Sequence, residues 1–234
     1  MTALHPDGIP WIEPAAMTSP IVTEYMRQFG KLSPDPLCPE LRAWNTARLH
    51  DLWVLTGGND GRAPIPFWGI VWPGARALAR YILDNSVDFA GRRVLDIGTG
   101  SGIAAIAAAK AGADVTGMDV DPAAIEMAVK TARANRVTCR WIAGDALRIT
   151  DDDLSCYDVI IAGDVFYEER FAEGITGVLR NARRAGLRNI AADVGRTFRP
   201  RTGVRVLCSM RIPVYREIEG IDYRDTNIIT LAAE

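Results

Sequence analysis

The sequence predicts an α/β fold in which a mostly parallel β-sheet carries helices on both faces. Two observations predict it. From Arg92 onward, short apolar runs alternate with helical stretches, which is the pattern of a parallel sheet. The last two apolar runs, 204–215 and 226–231, have no helix between them and predict an antiparallel hairpin at one edge of the sheet.

The individual elements follow a proline-rich beginning. Residues 1–66 contain nine of the 13 prolines and predict a helical and irregular N-terminal extension, with helices over 21–29 and 46–55, packed on a core domain of residues 67–234. The strands of that domain are expected at 94–97, 115–118, 137–142, 159–162 and 189–192, and its helices at 75–85, 102–111, 122–135 and 168–185.

Composition argues against several classes of protein. Of the 234 residues, 27 are Lys or Arg and 29 are Asp or Glu, and a net charge of −2 argues against general binding to nucleic acid. No run of 18 apolar residues occurs, so no membrane span is expected, and the first fourteen residues lack the pattern of a secretory signal. Four scattered cysteines and two histidines predict a reduced cytoplasmic protein without a metal. We separately expect a monomer.

A glycine-rich loop follows the first strand of the domain. It reads D-I-G-T-G-S-G, and its candidate binding residues are Asp96, Gly98, Thr99, Gly100, Ser101 and Gly102. Glycines let a ligand approach the backbone, and the following helix offers free N–H groups. The spacing differs from the dinucleotide pattern G-x-G-x-x-G, and we expect the carboxylate of Asp96 to repel a pyrophosphate and to suit a cationic ligand.

Aspartates stand at the ends of four consecutive strands. Besides Asp96 they are Asp119, Asp145 and Asp164. Aspartate is also a common helix N-cap, which is the alternative explanation for each of them taken singly. Four in register behind a glycine loop indicate a ligand site at the carboxyl edge of the sheet.

The order of these residues suggests which ligand binds. Asp119, followed by Val120, is placed to accept the two hydroxyls of a ribose, and Asp145, followed by Ala146, to accept an adenine amino group. The ligand then needs positive charge rather than phosphates. S-adenosylmethionine fits, since its sulfonium and ammonium groups are cationic.

This arrangement resembles the class I, seven-strand S-adenosylmethionine-dependent methyltransferases, with their Rossmann-like sheet, over about residues 68–234. The motifs P-F-W-G-I-V-W-P-G at 66–74 and G-D-V-F-Y-E-E at 163–169, with P-E-L-R-A-W at 39–44, are similar to the lysine methyltransferases of the electron-transfer flavoprotein β-subunit, bacterial members included. With these motifs the resemblance covers nearly the whole chain after about residue 17. It implies that residues 67–234 form the methyltransferase domain and that Trp72 packs near the cofactor, although ordinary core packing of Trp68 and Trp72 is the alternative.

The resemblance also implies that the D-V-F-Y segment lines the methyl-transfer site. Enzymes that methylate amide or adenine nitrogens typically carry N-P-P-Y there, whereas a carboxylate suits an amine. We therefore expect Asp164 to orient a lysine ε-amine and Tyr167 and Phe166 to form an aromatic wall beside it. S-adenosylhomocysteine would be the second product.

The implied substrate is a protein: the electron-transfer flavoprotein β-subunit and, for bacterial members, the acidic ribosomal stalk protein. Residues 170–234 carry 12 arginines and seven acids, which is either a solvated face or a docking surface for an acidic protein. Three alternatives stay open: a methyltransferase of another large-subunit ribosomal protein, a methyltransferase of a small-molecule amine, and a non-catalytic adenosyl- or dinucleotide-binding module.

Overall fold

A seven-stranded β-sheet forms the centre of this computed structural model, which describes residues 18–61 and 63–233. The strands are, in chain order, β1 (Lys31–Pro34), β2 (Arg42–Asn45), β3 (Arg93–Ile97), β4 (Asp114–Asp119), β5 (Arg140–Ala143), β6 (Val159–Gly163), β7 (Arg188–Asp193), β8 (Val204–Pro213) and β9 (Tyr223–Leu231). The α-helices are α1 (Pro20–Gln28), α2 (Leu49–Leu55), α3 (Pro73–Asp84), α4 (Ile103–Lys110), α5 (Pro122–Asn135), α6 (Asp151–Ser155), α7 (Glu169–Arg184) and α8 (Arg216–Glu219). Short 3-10 turns occupy Gly58–Asp60, Phe67–Gly69, Ser86–Asp88 and Ala146–Arg148.

The strand order of the large sheet is β5-β4-β3-β6-β7-β9-β8. The first five of these strands pair in parallel, and β9 runs antiparallel to both β7 and β8. The predicted parallel sheet with a C-terminal antiparallel hairpin is thereby confirmed. The chain moves outward from β3 to β5 and then resumes at β6 on the other side of β3. This reversal opens a crevice at the carboxyl ends of β3 and β6, where open α/β sheets bind their ligands.

Helices cover both faces of the sheet because its parallel strands are apolar on both sides. In β6, Val159 and Ile161 point into the cluster beneath α3, α4 and α5, while Ile160 and Ala162 point into the cluster beneath α6 and α7. Alternation along each strand therefore builds two separate cores. None of the helices in the described ranges combines the length and the apolar character that a bilayer-spanning helix needs.

A few boundaries differ from those predicted. Strand β5 begins at Arg140, so residues 137–139 precede it without strand structure. A one-turn helix, α8, lies between β8 and β9, where no helix was predicted. None of its four residues is buried as a whole residue, so the sequence has no periodic apolar pattern that would predict this helix.

The segment before the sheet contains a hairpin that the sequence analysis missed. The four-residue strands β1 and β2 pair antiparallel between the predicted helices, of which α2 begins at Leu49 rather than at 46. Cys38, Leu41 and Ala43 of this segment belong to the cluster beneath α3 and α4. The boundary at residue 66 stays a prediction, and the proposed absence of a signal in residues 1–14 lies outside the described residues.

A buried ion pair joins this segment to the sheet domain. Arg76 Nε of α3 donates to Asp35 Oδ2 over 2.8 Å, and both side chains are almost completely buried. Arg76 Nη1 also donates to the Pro213 carbonyl at the end of β8 over 2.8 Å, while Asp35 Oδ1 accepts from the amides of Leu37 and Cys38. Both carboxylate oxygens and two of the three guanidinium nitrogens thus have a partner, as burial favours.

Candidate active site

The glycine loop between β3 and α4 is held in a conformation that only glycines adopt readily. Gly98, Gly100 and Gly102 have φ angles of +65°, +53° and +83°. A Cβ on Gly102 would lie 2.9 Å from that of Ala128 on α5, whereas a Cβ on Gly100 would meet no atom within 4 Å. Gly102 is therefore required by helix packing, and Gly100 borders open space that a ligand can enter.

Asp96 lies beneath this loop rather than at its surface. Its Oδ2 accepts hydrogen bonds from Thr99 Oγ1 over 2.6 Å and from the Ala105 amide over 3.2 Å. Burial raises the pKa of Asp96 to about 7, against the opposing effect of these hydrogen bonds. This geometry does not support the expectation that the carboxylate faces a cationic ligand, because the residue is buried and its Oδ2 is directed at the loop. The Thr99 and Ser101 side chains are also buried, so these residues offer a ligand their backbone.

Asp119, at the end of β4, lies against the glycine loop. Its Oδ2 accepts from the Gly100 amide over 2.9 Å and its Oδ1 from the Asp121 amide over 3.0 Å. Burial raises the pKa of this carboxyl, and the backbone hydrogen bonds act in the opposite direction. A carboxylate has about four acceptor positions, so two remain for ligand hydroxyls. The neighbouring Val120 is largely exposed and presents an apolar surface at the mouth of the crevice.

Asp145 follows β5 and caps the next turn. Its Oδ1 accepts from the Leu147 amide over 3.0 Å, which is the N-cap role that was the alternative explanation for these aspartates. The side chain is otherwise exposed, and Ala146 beside it is buried. A cavity of about 290 Å³ opens next to Asp145, with Leu95, Met118 and Tyr157 among its lining residues.

Asp164 follows β6 with a left-handed backbone, φ +59°, which is uncommon for a residue other than glycine. The first turn of α3 packs directly against Asp164. A Cβ on Gly74 would lie 2.7 Å from the Asp164 nitrogen, and a Cβ on Gly163 would lie 2.7 Å from the Ala75 Cα. These two glycines let the N-terminus of α3 approach the end of β6, and the Gly74 amide points at Asp164 Oδ2 from 3.4 Å.

The carboxylate of Asp164 is paired with Arg196, from the loop after β7. Arg196 Nε donates to Oδ1 over 2.7 Å and Nη2 to Oδ2 over 3.1 Å, with the Asp164 side chain 4% and the Arg196 side chain 22% exposed. Burial raises the pKa of Asp164, and the Arg196 guanidinium opposes this rise. This pairing was not predicted: Arg196 is one of the 12 arginines of residues 170–234, and nothing in the sequence shows that the loops after β6 and β7 meet.

A cluster of aromatic side chains lies near the ion pair of Asp164 and Arg196. The ring of Tyr167 lies 5.1 Å from that of Phe67 and 5.8 Å from that of Phe171, and the ring of Trp72 lies 5.5 Å from that of Phe67. We call these four side chains the aromatic rim. Tyr167 is 45% exposed, whereas Phe166 is 0% exposed within the core beneath α7. The expected wall therefore lacks Phe166, whose side chain points into that core.

Comparison with known proteins places the chain in a family. A family model described as a methyltransferase domain matches residues 94–186. The electron transfer flavoprotein β-subunit lysine methyltransferase of Xenopus laevis is 31% identical over 191 residues, which cover 79% of this chain and 75% of that protein. The chain belongs to this family. The relative from Danio rerio is 38% identical over 135 residues, which cover 57% of this chain and 52% of its own, so the chain spans about half the length of that relative.

A solved structure supports the fold alone. The crystal structure of a candidate RNA methyltransferase from Pyrococcus horikoshii superposes with a TM-score of 0.52 at 16% identity and covers 79% of this chain and 98% of that one. The family is one of class I, S-adenosylmethionine-dependent methyltransferases. The crevice of this member fits such a cofactor in two respects: it has an open approach at Gly100, and Asp119 keeps acceptor positions for hydroxyls. Within the described part of the chain, no three His, Cys, Asp or Glu side chains are grouped so as to hold a metal ion.

Proposed function

We propose that this chain is a protein-lysine N-methyltransferase whose substrate is the β-subunit of the electron transfer flavoprotein. One observation carries the proposal: a buried carboxylate, Asp164, pairs with Arg196 at the crevice of a methyltransferase fold, and the Arg196 guanidinium carbon lies 5.9 Å from the Trp72 ring of the aromatic rim. The family supports it, since the names of the relatives specify this protein and lysine.

The cofactor would lie across the carboxyl ends of β3, β4 and β5. The backbone of the glycine loop, at Gly98 and Gly100, would approach its amino-acid part, and Asp119 would accept its ribose hydroxyls. Val120 and Ala146 would contact the adenine, and Asp145 would accept from the adenine amino group. When bound, S-adenosylmethionine supplies a methyl group on a sulfonium, an electrophile that leaves S-adenosylhomocysteine behind once the methyl has been transferred.

The protein's part is to present a neutral amine. A free lysine has a pKa of about 10.4, so removing its proton at pH 7.4 costs about 4 kcal/mol. The aromatic rim would enclose the aliphatic part of the lysine and remove water from the amine, which disfavours the ammonium and lowers this cost. The nitrogen then uses its lone pair to form the bond to the methyl carbon, and the surplus proton leaves from nitrogen to water.

The chemistry of the acceptor favours an amine over an amide. An amide substrate presents a carbonyl oxygen as well as N–H groups, and a site for it needs both donors and acceptors. Asp164 supplies acceptors, and Tyr167 and Trp72 supply ring faces that tolerate the more cationic methylated product. Glu168 caps α7 by accepting from the Arg170 and Phe171 amides, so it is assigned no part in substrate binding.

The test is methyl transfer from labelled S-adenosylmethionine by the purified full chain. Recombinant flavoprotein β-subunit, the acidic ribosomal stalk protein and a mixture of small amines are offered separately, and mass spectrometry locates the label. We expect label on lysine of the β-subunit and none with an Asp119→Ala variant, which lacks the proposed ribose acceptor. Label only on the stalk protein would change the substrate, and label only on small amines would overturn the proposal.

A further inference from the structure

Four charged side chains form a network at the methyl-transfer end of the crevice. Arg196 bridges Asp164 and Glu219, with its Nη2 3.3 Å from Glu219 Oε1. Glu219, which ends α8, is half-buried as a residue with a side chain only 6% exposed, and it accepts from Arg224 Nε of β9 over 2.8 Å. Two carboxylates and two guanidinium groups thus meet with a formal charge that sums to zero.

The position of Arg196 is set by the folded structure. Its backbone amide donates to Asp193 Oδ1 over 3.0 Å, which holds the start of the loop against the end of β7. Its guanidinium carbon lies 5.9 Å from the centre of the Trp72 ring, within the range of a cation–π contact. The guanidinium therefore contacts both the carboxylate of Asp164 and one ring of the aromatic rim.

The charge of this network bears on which form of lysine the site binds. An uncompensated carboxylate favours the ammonium form of a neighbouring lysine and raises its pKa. The ammonium has no lone pair, so such a site would bind the substrate in an unreactive form. A carboxylate already paired with a guanidinium has its charge offset, and Asp164 Oδ1, which accepts from Arg196 Nε, keeps acceptor capacity for one more N–H.

We propose that Arg196 is a positioning residue that offsets the charge of Asp164, so that the site binds lysine as the neutral amine. This inference rests on the proposed lysine methylation. Asp164 would accept a hydrogen bond from the amine, and the proton of the incoming ammonium would pass to solvent before the aromatic rim encloses it. The arginine thereby affects the reaction through Asp164 and touches no reacting atom.

The other groups that face Asp164 are accounted for by their own partners or are uncharged. Glu219 is matched by Arg224, and Asp193 of β7 lies 3.5 Å from Arg199 Nη1. From α3 the neighbour is the Gly74 amide at the positive end of the helix. From the turn after β6 it is Tyr167, whose pKa is raised to about 12 by burial, so it is neutral at working pH. Asp119 is the remaining charge on this side, and it is held by backbone amides.

The test compares pH profiles of kcat for the full chain and four variants, at saturating S-adenosylmethionine and saturating protein substrate. Arg196→Gln removes the compensating charge, and Arg196→Lys restores it. Arg224→Gln removes the second cation without touching Asp164. Arg216→Gln is the matched control, since Arg216 lies on α8 with Glu219 but pairs with the exposed Asp222 instead. Cofactor affinity and thermal unfolding are measured for each variant.

We expect the rising limb of the Arg196→Gln profile to move about one pH unit toward alkaline values, with kcat about tenfold lower at pH 7.4 and near that of the original chain at high pH. Arg196→Lys should recover most of this loss, Arg224→Gln should move the limb less in the same direction, and Arg216→Gln should not move it.

Two results would overturn the inference, and a third is read separately. A kcat that falls by the same factor at every pH would mean that Arg196 only clamps the loop. A rising limb that is unshifted in both Arg196→Gln and Arg224→Gln would mean that the network does not act on the substrate. If Arg196→Gln does not fold, the profiles of Arg224→Gln and Arg196→Lys decide the same question. If the original chain methylates no lysine at any pH, the proposed function itself fails.

Discussion

Replacing Asp164 with alanine tests the candidate site most directly. The change removes two charge-assisted hydrogen bonds from Arg196, of 2.7 and 3.1 Å. Breaking one side of a buried ion pair costs about 3–5 kcal/mol, and the lower end applies because Arg196 keeps Glu219. Alanine at a φ of +59° adds about 1 kcal/mol, since it tolerates the left-handed region less well than aspartate. The expected loss in the free energy of unfolding is roughly 4 kcal/mol.

Asparagine at the same position separates stability from activity. Asp164→Asn keeps an acceptor oxygen and the tolerance of positive φ, so about half of that loss in stability is expected. Urea unfolding measures both variants, calorimetry measures their cofactor affinity, and label transfer to protein lysine measures their turnover. We expect no detectable transfer by Asp164→Ala, with cofactor affinity within a few-fold. Unchanged turnover in the alanine variant would refute the placement of Asp164 in the methyl-transfer site.

Three further predictions concern the loop, the N-terminal segment and pH. Gly102→Ala should lower the free energy of unfolding by roughly 2–4 kcal/mol in urea, since its Cβ would collide with α5 at an unfavourable φ. Gly100→Ala should cost only about 1 kcal/mol and mainly weaken cofactor binding, which calorimetry measures. Equal losses of stability in the two variants would contradict this difference. Arg76→Met should cost about 3 kcal/mol in urea unfolding by leaving buried Asp35 without its cation, and a loss below 1 kcal/mol would contradict the strength assigned to this pair. Burial raises the pKa of Asp96 to about 7, above its value in the unfolded chain. The stability from this group is therefore complete below about pH 4 and declines toward pH 7, with a slope of at most about 1.4 kcal/mol per pH unit. Asp96→Asn should remove this slope, and unfolding curves that keep it would count against a raised pKa.

Much of the fold was predictable because the signals that specify it are local. The apolar alternation that defines β3, β4, β6 and β7 and the periodicity of their helices placed most boundaries within two residues of those in the structure. The hairpin of β1 and β2 was not predicted. Its strands have only four residues each, most of them incompletely buried, and Pro34 ends the first. Burial alternates along β2, but its residues R-A-W-N do not alternate between polar and apolar.

The candidate site was predictable in part for the same reason. Successive strands of a parallel sheet end at one edge. The positions of Asp119, Asp145 and Asp164 in the sequence were therefore enough to predict that they lie at the same edge. The direction of each side chain was not available. Asp96 points beneath the loop, Phe166 points into the core, and Asp164 meets a cation from a different loop.

The sequence by itself determined the class of fold, the glycine loop and the row of strand-end aspartates, because periodicity and turn chemistry act over a few neighbouring residues. Only the tertiary structure decided the charge of the site. The order β3-β6-β7 brings the loop after β7 beside the end of β6, and there Arg196, 32 residues beyond Asp164, closes the ion pair. Electrostatic compensation depends on distance in space, and that distance is set by strand order rather than by separation along the chain.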